Sequence, residues 1–172
     1  MVMFKTSIKY SIACALFLLI LLFLSRSLGL NPLMDLSQLI FDALIFTLFT
    51  IFAIREFKIY QNGGNLHFWQ GMTIGFFVYL PSILVFTIGF FVLFTINDSL
   101  LEEYKVEAMQ FLELKKEEYI NQFGQEQYEA QILAIENIAL LGLTTTTAIK
   151  KLIAGFFVSP MISIILRKKP IT

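Results

Sequence analysis

The sequence predicts an all-α integral membrane protein: a four-helix bundle with an extramembrane antiparallel helical hairpin between its third and fourth membrane helices. Three observations predict it. Long apolar runs recur along a chain of 172 residues that is 57% hydrophobic and only 15% charged, with a mean hydropathy of +0.74; a soluble domain is nearer half apolar and a quarter charged. Basic residues gather near the ends of those runs. The acidic residues concentrate in one segment, 97–147, whose apolar residues recur at helical spacing.

A hydrocarbon core about 30 Å thick needs about 20 apolar helical residues, and every backbone group inside it must be bonded internally. The first span, at about 8–30, follows Lys5 and Lys9 and stops before Asn31-Pro32, a helix-ending pair. It imitates a secretory signal, with Ser25 and Ser27 at cleavage-like spacing. Because three more spans follow, it is read as a membrane helix. The second span, 36–54, closes on Arg55, Glu56 and Lys58. The polar island after it holds Asn62, Gly63 and Gly64, residues tolerant of positive φ, and reads as a tight cytoplasmic turn. Phe68 and Trp69 then anchor the third span, 68–96, at the interface. The fourth, 149–166, is closed by Arg167, Lys168 and Lys169. Pro81 and Pro160 fall inside the third and fourth spans and are the expected helix bends. Gly71 with Gly75, and Gly155 with Ser159, are small-xxx-small pairs that let these helices approach closely.

Between the third and fourth spans, Leu101, Tyr104, Ala108, Leu112, Tyr119 and Phe123 form one apolar stripe on an otherwise acidic helix. Gly124 is the expected reversal point, and Tyr128, Ile132, Ile135, Ala139 and Gly142 make a second stripe. The pattern predicts two arms packed stripe to stripe, continuous with the flanking spans and each about 30–40 Å long at helical rise. Leu101, Tyr104, Leu112 and Tyr119 are the candidate partner-binding stripe.

Orientation follows from Lys and Arg in short segments near the span ends. Lys5, Lys9, Arg55, Lys58 and Arg167 to Lys169 place both termini in the cytoplasm and 97–147 outside; Lys150 and Lys151 are discordant. The formal net charge of zero offers no field for nucleic acid, and the single Cys14 excludes an intramolecular disulfide. His67, the only histidine, has no metal-ligand companion at suitable spacing. No catalytic constellation and no cofactor motif is visible. The charged residue most out of place is Asp42, inside the second span. Counted from the basic ends, Asp42 and the Lys150-Lys151 pair reach similar depth near the outer boundary, so an intramembrane pair of Asp42 with Lys150 or Lys151 is expected. The function these features favour is a non-enzymatic accessory or assembly subunit that presents the hairpin to a protein partner or to another copy, with membrane lipids around it. The alternative is a small transporter or channel component using Asp42 and Lys150 or Lys151, which requires a continuous polar path through the spans.

The order of features also resembles a known family. Basic residues and Tyr60 precede Asn62-Gly63-Gly64, Phe68 opens an apolar helix, a charged helical segment follows, and an apolar span ends in Arg167-Lys168-Lys169. This is similar to the bacterial domain-of-unknown-function family numbered forty-one ninety-nine, across nearly the whole chain. The resemblance implies a four-helix protein of the bacterial inner membrane with the acidic segment in the periplasm. It implies no activity and no catalytic residue.

Overall fold

The computed structural model describes residues 2–27, 36–97 and 99–167. Seven helices are present among them: α1 (Val2–Ser27), α2 (Leu36–Tyr60), α3 (Phe68–Ile96), α4 (Ser99–Leu114), α5 (Lys116–Phe123), α6 (Gln125–Glu136) and α7 (Leu140–Leu166). The expected Asn31-Pro32 stop and the terminal Lys168 and Lys169 lie outside the described residues.

Four long helices, α1, α2, α3 and α7, pack as a bundle. Side-chain contacts fix its register. Gly71 and Gly75 of α3 face Ser163 and Ser159 of α7, so these two helices run antiparallel. Ser82 of α3 bonds the Ser11 carbonyl and Gly89 faces Leu19, so α3 runs parallel to α1. Asp42 of α2 meets Lys151 of α7 and Lys58 reaches the Leu166 carbonyl, so those two are also parallel. Around the bundle the order is α1, α2, α7, α3, with α2 and α3 touching across the diagonal. Phe46, Ile54, Ile74, Val78, Phe86 and Phe90 fill the centre. Large apolar side chains are plentiful on the outside as well, among them Ile20, Phe41, Ile88, Phe157 and Ile165, as a hydrocarbon environment requires.

Three of the helices are long and apolar enough to cross a membrane, at Met3–Ser25, Phe68–Ile96 and Leu140–Leu166. Among the described residues that makes three helices of spanning length and composition where four spans are expected. The difference is α2, which carries Asp42 within its apolar run and Arg55, Glu56 and Lys58 in its last turns. The last span is also longer than its composition suggests. It starts at Leu140 rather than 149, because the run of threonines is helical. Thr144, Thr145 and Thr147 donate their hydroxyls to the carbonyls of Leu140, Leu141 and Leu143 at 2.7–2.8 Å, and so remove their polarity from the helix surface.

Outside the bundle, α4 and α5 form one arm, interrupted at Lys115, and α6 the other. Gly124, with φ of 89°, makes the reversal. The expected continuity with the spans is absent, because the helices break at Asn97 and again over 137–139. The arms are also unequal. The 12 residues of α6 reach about 18 Å at helical rise, short of the 30–40 Å expected. Ala108, Leu112, Tyr128 and Ile135 form a separate small core between the arms. Tyr104 packs against both this core and that of the bundle, which joins the two.

Candidate functional site

The buried centre of the bundle holds an ion pair. Lys151 Nζ donates to Asp42 Oδ1 at 2.6 Å, and the two side chains are 2% and 6% exposed. The ammonium also lies 4.3 Å from the centroid of the Phe86 ring, whose face attracts a cation. Cys14, fully buried on α1, neighbours the pair. Of the two candidate lysines, Lys151 is the buried one; Lys150, one residue earlier, is exposed.

The depth of the pair differs from the expected outer boundary. Gly71, Gly75 and Gly155 set the α3–α7 register, and continuing it by one turn brings Lys151 level with Ser82 and Ile83, in the middle of Phe68–Ile96. Cys14 is at the middle of Met3–Ser25. The earlier start of α7 is the physical reason, since it adds about 14 Å of helix beyond residue 149. A charge placed there alone is expensive, so the pair is a candidate site by its position as well as its chemistry.

Most buried hydroxyls around it are engaged locally, and among the described residues those of Thr50 and Thr87 are buried without a hydrogen-bond partner. Ser7, Ser11, Ser82, Thr147, Ser159 and Ser163 are buried, and each donates its hydroxyl to a backbone carbonyl. Their small size serves close approach. A Cβ on Gly71 or Gly75 would lie 2.6–2.8 Å from a serine hydroxyl of α7, and one on Gly155 would lie 2.6 Å from Tyr79 Cγ. Pro81 and Pro160 lie inside helices that continue past them.

At the end where α1 and α3 begin, the polar island closes as a turn. Gly63 and Gly64 have φ of 55° and 80°. Asn62 Nδ2 bonds the Asn65 carbonyl, and Gln70 Oε1 accepts from both Asn62 Nδ2 and the His67 amide. Two interactions here escape a reading of sequence. Glu56 accepts from Lys9 Nζ and the Tyr10 hydroxyl, each at 2.6 Å, and Lys58 Nζ donates to the Leu166 carbonyl at 2.9 Å. Residues so distant in the chain carry no shared motif; only the basic bias of the ends hinted at them.

The candidate partner-binding stripe is turned inward. Leu112 is buried between the arms, Tyr104 and Tyr119 pack against that core, and Leu101 packs against the bundle. The apolar side chains that the arms leave outside are others, and include Leu114 at 86% exposed, Phe123 and Leu133 at 58%, Val106 at 56% and Phe111 at 37%. A hydrogen bond ties the arms. The Tyr128 hydroxyl donates to Glu113 Oε2 at 2.6 Å, with Lys116 Nζ 3.6 Å from the other oxygen. The tyrosine and then the lysine hold the Glu113 carboxyl below the usual range, and the carboxylate raises Tyr128 above 10.0. A depressed acid contributes stability that is complete above its unfolded value near 4.5 and is lost as pH falls through its folded value. For Tyr128 the sign is opposite, with the contribution complete below about 10 and lost as pH rises through the folded value. Thermal melts of the full-length protein in detergent are therefore expected to show an acid and an alkaline decline that both flatten in Tyr128→Phe. Unchanged pH dependence in that variant would remove this bond from the hairpin's stability.

This arrangement defines an all-α, multi-pass membrane protein, with three helices of spanning length, a buried ion pair level with their midpoints and a small helical hairpin outside the bundle. The chain belongs to the family described as protein of unknown function (DUF4199), whose model matches residues 9–168. Comparison with curated proteins and with solved structures finds no match.

Proposed function

We propose that this chain is a non-enzymatic accessory or assembly subunit of the bacterial inner membrane, which holds a periplasmic helical hairpin for a protein partner. In this reading α2 is a fourth crossing, sheltered by α1, α3 and α7, and both termini are cytoplasmic. The basic residues at one end of the bundle and the acidic hairpin at the other support that orientation. The observation that carries the partner role is the hairpin's construction. Its own core and the Tyr104 buttress hold it in place, yet Phe111, Leu114 and Phe123 remain outside. Exposed apolar side chains that lie together mark interaction surfaces, and Phe111 and Leu114 are one helical turn apart on α4.

The test is co-purification of the full-length protein in mild detergent from its native membrane. Phe111→Ser with Leu114→Ser is expected to release a stoichiometric partner while the helical content and melting temperature stay near wild type. Leu112→Ser is expected to lose the partner together with the hairpin, at a stability cost of about 2–4 kcal/mol. Retention of the same partner by the exposed-face variant would sink this surface as the binding site.

A second reading, a small transporter or channel component, is favoured by the ion pair alone. Paired charges at mid-depth are frequent in ion and proton pathways. Its test is flux through reconstituted protein, with loss expected in Asp42→Asn.

A further inference from the structure

The end of the bundle where α1 and α3 begin and α2 and α7 finish has a one-sided charge. Lys5, Lys9, Arg55, Lys58 and Arg167 all lie on the α1, α2 and α7 corners. The α3 corner, diagonal to α2, presents the aromatic Phe68 and Trp69 instead. Glu56 is the sole acid at this end among the described residues, and it is engaged by Lys9 and Tyr10. Lys58 caps the Leu166 carbonyl. That leaves Lys5, Arg55 and Arg167, all exposed and without a carboxylate partner among the described residues.

Their placement converges on α2. Lys5 precedes Lys9 by one turn, and Lys9 is on the side of α1 that meets α2. Arg167 directly follows the carbonyl capped by Lys58. Arg55 comes from the exposed face of α2, in the same turn as the buried Ile54 and Phe57, which face the core. On that same exposed face, one and two turns deeper in the bundle, lie Phe52 at 45% and Leu48 at 44% exposed. An apolar column thus leads up to a guanidinium, with a second cation from the helix on either side.

We propose that this corner binds an anionic phospholipid, with its phosphate held by Arg55, Lys5 and Arg167 and an acyl chain lying along Phe52 and Leu48. A planar guanidinium matches phosphate oxygens in pairs, and flanking lysine or arginine adds attraction that an uncharged headgroup does not receive. The apolar column distinguishes a lipid from a soluble phosphate, which has nothing to place on it. This site is independent of the hairpin and of any partner it recognises.

The experiment is intact-mass measurement of the full-length protein in detergent, titrated with phosphatidylglycerol, with phosphatidylcholine and with soluble glycerol phosphate. Phosphatidylglycerol is expected to be retained at least tenfold better than phosphatidylcholine, and glycerol phosphate not to displace it. Lys5→Gln, Arg55→Gln and Arg167→Gln are each expected to weaken retention roughly fivefold, as about one such increment per cation near an anionic headgroup implies. Lys105→Gln with Lys115→Gln and Lys116→Gln removes three charges from the hairpin, more than any single site variant, and is expected to leave retention unchanged. Equal retention of the two lipids by the wild-type protein would overturn the site without any variant. So would displacement by glycerol phosphate, or equal losses from the hairpin substitutions.

Discussion

Asp42→Asn is expected to destabilise the bundle by about 3–5 kcal/mol, because it leaves the Lys151 ammonium buried at mid-depth without its counter-charge. Lys151→Met is expected to act with similar size, by stranding the carboxylate. The combined change, Asp42→Asn with Lys151→Met, is expected to recover most of the loss. A desolvated pair roughly balances its own attraction against the cost of removing both charges from water, so removing both partners is far milder than removing one. The measurement is equilibrium unfolding of the purified protein in detergent for the wild type, both singles and the double. A double variant whose loss equals the sum of the singles would mean that the two side chains are not energetically coupled. Lys150→Met, one residue away on the exposed side of α7, serves as the comparison and is expected to leave the stability within about 0.5 kcal/mol of wild type.

Gly155→Val is the second large effect, expected at about 3 kcal/mol. The added Cβ would lie 2.6–2.9 Å from Tyr79 Cγ, Cδ2 and Cβ, the part of that side chain nearest its own backbone, so the ring cannot yield without α3 and α7 moving apart. The Phe46 and Phe76 rings, 6.4 and 5.6 Å from the Tyr79 ring, close its other directions. Gly142→Ala on the same helix meets Ile138 Cγ1 at 3.8 Å, an ordinary van der Waals contact, and is expected to be tolerated. Melting temperatures of the two variants side by side test the contact; equal values would deny it.

Much of the all-α framework is readable from residue patterns alone, for definite reasons. Apolar length and bracketing charges identify α1, α3 and the greater part of α7, and Gly124 marks the reversal because nothing but glycine favours its positive φ. The start of α7 is hidden, because Thr144, Thr145 and Thr147 look polar until their hydroxyls are seen bonded to the preceding turn. That same error displaced the lysines to the membrane surface, and the depth of the Asp42–Lys151 contact is visible only once the helix is extended. The stripe of Tyr104, Leu112 and Tyr119 has the right periodicity for burial, but periodicity does not say whether the covering surface is a partner or the chain's own α6. The convergence of Arg55, Lys5 and Arg167 rests on which helices are neighbours around the bundle, and a linear pattern does not contain that order.

The 109 positions between Asp42 and Lys151 also set a clock. At about 5–20 residues per second of synthesis, the acid emerges roughly 5–20 s before its base exists. During that interval α2 carries a carboxylate without its counter-charge, and its place among the other helices depends on whatever shelters that charge. Newly made chains arrested before Lys151 should therefore show α2 still accessible to water-soluble reagents, and chains released after it should not.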